Sequence, residues 1–134
     1  MTNEDLSLVS DLLVLVGTGL MFARIVMFGR ALRTLPPAEQ QRYPTEGRLP
    51  AWRTWLPVVP LMVLLFATNT NLRLAAAAWY VAQTTLDGFA GQRRLQDLGF
   101  DPTVCHAQLR TALVGALAGA FFAASIALPA FVGT

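Results

Sequence analysis

Four apolar stretches separated by polar breaks set the plan of this chain. The first, residues 6–29, exceeds the roughly 20 helical residues that a hydrocarbon core requires, and Pro36 and Pro37 end the helix that carries it. Arg24, Arg30 and Arg33 fall at or beyond its inner end, with Arg24 long enough to reach toward the headgroups. Residues 30–54 follow as a polar loop, until Trp52 and Trp55 mark re-entry, since indoles favour the membrane boundary. A second span is predicted over 55–70. Pro57 and Pro60 are tolerated near its start, where an amide donor would lack an intrahelical partner, and Pro60 adds a kink. Thr68-Asn69-Thr70-Asn71 then supplies a turn and a helix N-cap.

Residues 72–91 read in two ways. At helical spacing Arg73, Ala77, Tyr80, Thr84, Asp87, Gly91 and Arg94 form a polar stripe, and Leu74, Ala78, Val81, Ala82, Leu86 and Phe89 form an apolar side. Such a helix is either a third span packed inside the protein or an amphipathic helix lying on the membrane surface. The last span, 108–132, is the cleanest and closes with Pro129. Its small residues are ordered: Thr111, Gly115, Gly119, Ala123 and Ala127 recur every fourth position. A ridge of that kind lets another helix backbone approach closely, either within the chain or on a partner.

Charge decides between the layouts. Arginine carries every fixed positive charge, and all but Arg73 fall in Arg24–Arg53 or Arg93–Arg110. Four crossings place both basic segments on one side, whereas three would put Arg93, Arg94 and Arg110 opposite the first loop, against the retention of Arg in cytoplasmic loops. The expected fold class is therefore an all-α integral membrane protein, residues 1–134 as a single membrane domain, with four transmembrane helices in an up-down bundle. Three spans plus an amphipathic interfacial helix is the alternative. Loops 30–54 and 92–107 are expected in the cytoplasm and both termini outside, in a plasma or inner membrane. The acidic leader with Glu4, Asp5 and Asp11 supports that orientation and lacks the positive start of a secretory signal.

Composition agrees with a bilayer as solvent. The 134 residues are 54% hydrophobic and only 13% charged, against about a quarter charged in soluble domains, and so short a chain cannot enclose that much apolar surface in a core of its own. No nucleic-acid partner is expected, because there is no lysine and no basic stripe interleaved with aromatics. A single Cys105 and a single His106 exclude an internal disulfide and a His cluster, so no metal is expected. As helix neighbours, those two side chains point about 100° apart, which argues against a nucleophile and base pair. No cofactor is predicted, although a bound lipid suits the gaps between helices.

Two polar positions inside spans carry functional readings. Asp87, with Thr84, Tyr80 and Arg73, makes the one candidate polar pathway, as a proton or cation relay. Arg73 either lies at the outer headgroups, pairing with Glu4 or Asp5, or binds an anion beside Asn69–Asn71. In length, layout and long basic first loop, the chain is similar to the membrane-associated eicosanoid and glutathione metabolism proteins. Members that bind glutathione carry Asn and Glu in the second span and Arg in the third. Here Trp52-Arg53-Thr54-Trp55-Leu56-Pro57 and Gln83 stand instead, so the likeness implies a fold outline and carries over no catalytic residue. The leading expectation is an interaction protein, an accessory or assembly subunit of a larger membrane complex or a homo-oligomer, contacting other membrane protein subunits or itself through the Gly115 and Gly119 face. A small transporter using the Arg73 to Asp87 stripe and a membrane-interface enzyme of lipid or thiol metabolism are the alternatives.

Overall fold

A computed structural model describes residues 2–132, which are all-helical, with no strand among the described residues. The long helix α1 (Asn3–Arg33) starts with a capping box: Thr2 accepts from the Asp5 amide and Asp5 accepts from the Thr2 amide. Glu4 and Asp5 in its first turn and Arg30 and Arg33 in its last complement the helix dipole. A short α2 (Pro37–Arg42) and a π-helical turn at Tyr43–Gly47 follow, then α3 (Ala51–Trp55) and α4 (Val58–Phe66). The long α5 (Thr70–Asp97) begins at Asn69, whose side chain accepts from the Asn71 and Leu72 amides. It ends at Gly99, whose φ of 77° allows the Phe100 amide to reach back to the Leu95 carbonyl. Asp101 then accepts from the Thr103 amide and opens α6 (Pro102–Val132).

The helix order is α1, α6, α5, α4, with α6 in the middle. Ser10 meets Ser125 and Gly17 meets Ala118 and Phe122, so α1 is antiparallel to α6; Gly119 meets Tyr80 while Gly91 meets Gln108, so α5 is antiparallel to α6 as well. The C-terminal ends of α1 and α5 therefore share one end of the bundle with the start of α6. That brings Arg30, Arg33, Arg93, Arg94 and Arg110 together there. Pro129 lies inside α6 rather than closing it. Its missing amide would orphan the Ser125 carbonyl, and the Ser10 hydroxyl of α1 donates to that oxygen at 2.9 Å.

By length and apolarity α1 and α6 can each cross a membrane. The segment through Pro37–Gly47 and Ala51–Phe66 joins them on the same grounds if, despite its 82° bend, it is one span, whereas α5 is long enough to cross but less apolar than α1 and α6. The second segment is thus shorter and more broken than the expected 55–70: it stops at Phe66, and α3 is separated from α4 at Leu56 and Pro57. Predicted spans 72–91 and 108–132 lie within α5 and α6, each longer by a turn or more at the basic end. The loop 30–54 is largely helical rather than open. Leu35, Tyr43, Leu95, Phe100, Val104 and Cys105 form a compact apolar core at the basic end, with Phe28, Leu32 and Leu98 packed around it.

Candidate functional site

The middle of the α5 stripe, Ala77, Tyr80, Thr84 and Gly91, is buried, while Arg73 and Asp87 are half-buried and Arg94 is exposed. Tyr80, Gln83 and Thr84 are buried with Ala77, Gly88 and Gly91 against α6, while Leu72, Trp79, Leu86 and Phe89 are exposed on the opposite side. Trp79 Nε1 donates to Gln83 Oε1 at 2.8 Å, which satisfies the amide oxygen at the edge of the seam.

This stripe and the small-residue ridge of α6 complete one another. A Cβ on Gly119 would lie 2.7 Å from Val81 and 2.8 Å from Tyr80, and one on Gly115 would lie 2.6 Å from Arg24 Nη1 and 3.0 Å from Thr84. Thr111, Gly115 and Gly119 are buried, whereas Ala123 and Ala127 are only half-buried. The face expected to dock partners is therefore filled from within the chain. Arg24, expected to reach outward to headgroups, turns its guanidinium over Gly115 and lines a cavity of about 260 Å³ with Tyr43, Gln108 and Thr111.

The remaining candidates are placed apart from one another. Asp87 accepts from Arg53 Nη2 at 2.8 Å, tying α3 to α5, so its carboxylate is held in an ion pair. Arg73 donates through Nε to the Leu64 carbonyl at 3.2 Å, one of the orphan acceptors at the end of α4. It also borders an apolar cavity of about 300 Å³ that includes Val14, Leu61 and Phe122. Cys105 is buried, with its thiol toward the Phe100 carbonyl, and His106 is exposed on another side of α6. Among the described residues no group of three His, Cys, Asp or Glu side chains converges as a metal site.

The basic end is knit by its own contacts. Glu46 pairs with Arg42, its carbonyl accepts from Arg94 at 2.7 Å, and Arg42 lies over the Phe100 ring. Tyr43 packs on Phe28 and edge-on to Phe100. Burial pushes its phenol above the ordinary tyrosine range, opposed by the nearby Arg48 charge. The folded chain thus holds this proton more tightly than the unfolded one, and the stability so linked is intact below pH of about 10 and is lost as pH rises beyond it. Thermal unfolding scans from pH 8 to 11 should show a steeper loss in wild type than in Tyr43→Phe; parallel curves would contradict this placement of Tyr43.

The sequence did not expose a second groove, at the other side of the α1–α6 seam, where Arg30, His106 and Arg110 converge. His106 and Arg110 stand one helical turn apart, a spacing visible in the sequence, but nothing there set them opposite Arg30. No family model, curated protein or solved structure matches the chain. The likeness to the membrane-associated eicosanoid and glutathione metabolism proteins rests on outline alone.

Proposed function

We propose that this chain is a small polytopic protein of a plasma or inner membrane that works by association, as an accessory or assembly subunit or as a homo-oligomer, with its basic end in the cytoplasm. The observation that carries this reading lies in the middle of α5, where the polar Tyr80, Gln83 and Thr84 are buried while Leu72, Trp79, Leu86 and Phe89 are exposed. A helix lying on the membrane surface would keep its polar side in water. Polar groups turned to a neighbouring helix and an apolar exterior suit a span inside lipid. The 28 residues of α5 reach ~42 Å, ample for a crossing. Four crossings then place both arginine-rich segments on the side where the positive-inside rule retains them.

Because the α6 ridge is occupied, association falls to the α4 side of the bundle. Helix α4 is nine residues long, packs mainly on α5 and borders a cavity shared with α1 and α6. An open groove of about 600 Å³ lies along α4, lined by Trp55, Val58, Val59, Met62 and Phe66 and closed at one end by Leu72 of α5. Met62→Cys in a Cys105→Ser background, treated with a short bis-maleimide in native membranes, should give a crosslinked product of one defined mass. Ile25→Cys on the outward side of α1 should not. Monomer from both, or equal crosslinking at both, would reject the α4 side as the contact.

A further inference from the structure

We propose that the groove between α1 and α6 at the basic end holds the phosphate-bearing headgroup of an anionic phospholipid. The groove has a volume of about 440 Å³ and is lined by Met27, Arg30 and Ala31 of α1 with His106, Ala107 and Arg110 of α6. No carboxylate lines it. Four other arginines have acceptors: Arg42 has Glu46, Arg53 has Asp87, Arg73 has the Leu64 carbonyl and Arg94 has the Glu46 carbonyl. Among the described residues, Arg30 and Arg110 have neither an ion pair nor a hydrogen bond; Arg24, Arg33, Arg48 and Arg93 are equally without one, but Arg24 is the one arginine of its cavity and Arg93 shares its groove only with the paired Arg53 and Arg94.

Two guanidinium groups facing one space repel each other until an anion lies between them. A phosphate diester suits that space, because each guanidinium fork matches two phosphate oxygens. The Thr103 hydroxyl and the His106 ring border the same groove and add hydrogen-bonding capacity. The apolar floor selects a lipid over a free anion. Met27, Ala31 and Ala107 lie beneath the charges, and two turns farther from the basic end Arg110 is followed by the exposed Leu117 on the same face of α6. An acyl chain can continue along that surface, and on the membrane reading proposed above the site falls at the cytoplasmic end of two spans, where basic pockets meet anionic headgroups.

The test uses the full chain in mild non-ionic detergent, with its unfolding temperature read against added phosphatidylglycerol, phosphatidylethanolamine or inorganic phosphate. Phosphatidylglycerol should raise the unfolding temperature saturably, and the other two should not at the same concentration. Arg30→Gln with Arg110→Gln should lower the apparent affinity for phosphatidylglycerol about tenfold or more per arginine, while Arg33→Gln with Arg93→Gln leaves it unchanged. An undiminished shift in the first pair, or an equal loss in the second, would overturn the site. Inorganic phosphate reproducing the full shift would replace the lipid by a free anion and overturn the assignment. Native mass spectrometry of the wild-type chain needs no variant. It should show phosphatidylglycerol retained in preference to phosphatidylethanolamine, and equal retention counts against the proposal.

Discussion

Gly88→Leu is expected to pull α5 off α6 and destabilise the chain by about 3 kcal/mol or more, at the upper end of overpacking effects. A Cβ on Gly88 would collide with the Ala112 methyl, which belongs to the facing helix and sits against its backbone, so no flexible side-chain end is there to move aside. Gly91 offers a useful contrast, since the atoms a Cβ would meet there belong to the Gln108 side chain, which can swing away. Gly91→Ala should therefore cost less than Gly88→Ala. Gly29 has nothing within 4 Å of a built Cβ, so Gly29→Leu should be close to neutral. Unfolding in mixed micelles, followed by helical circular dichroism, gives all of these values. Equal losses at Gly88 and Gly29 would mean that the α5–α6 crossing is not as close as described.

Separating Arg53 from Asp87 is the second large effect. The two side chains are 28% and 14% exposed, so the pair is neither free in water nor sealed. Removing one partner strands a half-desolvated charge, at a cost of about 1–3 kcal/mol after discounting for the solvent that still reaches it. Asp87→Ala and Arg53→Ala should each destabilise, and the double variant should cost less than their sum, because neither charge is then left alone. The exchanged pair Arg53→Asp with Asp87→Arg should recover part of the loss. Strict additivity would show that the ion pair does not hold α3 to α5.

Much of the frame was legible in the residues. The first and last apolar runs lie within longer helices, α1 and α6, and the break before Pro36-Pro37 and the Asn69 cap reappear, because each follows from local chemistry. The stripe of α5 was legible as a stripe but not in its direction. Amphipathy alone does not say whether the polar side meets water or another helix; the missing partner was the Gly115 and Gly119 surface of α6, which accepts Tyr80 and Thr84. The ridge itself was read too far along the helix. Positions every fourth residue drift about 40° per step around a helix of 3.6 residues per turn, so Ala123 and Ala127 have rotated toward the edge of the seam that buries Thr111 and Gly115.

The basic end was the least legible part. Residues 30–54 read as a polar loop, yet Leu35 and Tyr43 within them are buried by Leu95, Phe100 and Val104, which are far away in sequence. Gly47 was the local trace of that packing, since a Cβ there would press on the Tyr43 ring at 2.6 Å and on Leu95 at 3.1 Å. Arg53 was counted as one of a cluster of loop charges, and its pairing with Asp87 depends on α3 turning back beside α5.

Accessibility of single cysteines in a Cys105→Ala background tests the crossing of α5 most directly. Thr45→Cys, Asn71→Cys and Gln96→Cys all lie at exposed positions, and an impermeant maleimide applied to sealed, oriented vesicles reports the side of each. Residues 45 and 96 should react from one side and residue 71 from the other. Labelling of 71 and 96 from the same side would mean that α5 does not pass through the membrane, and the burial of Tyr80, Gln83 and Thr84 would lose its explanation.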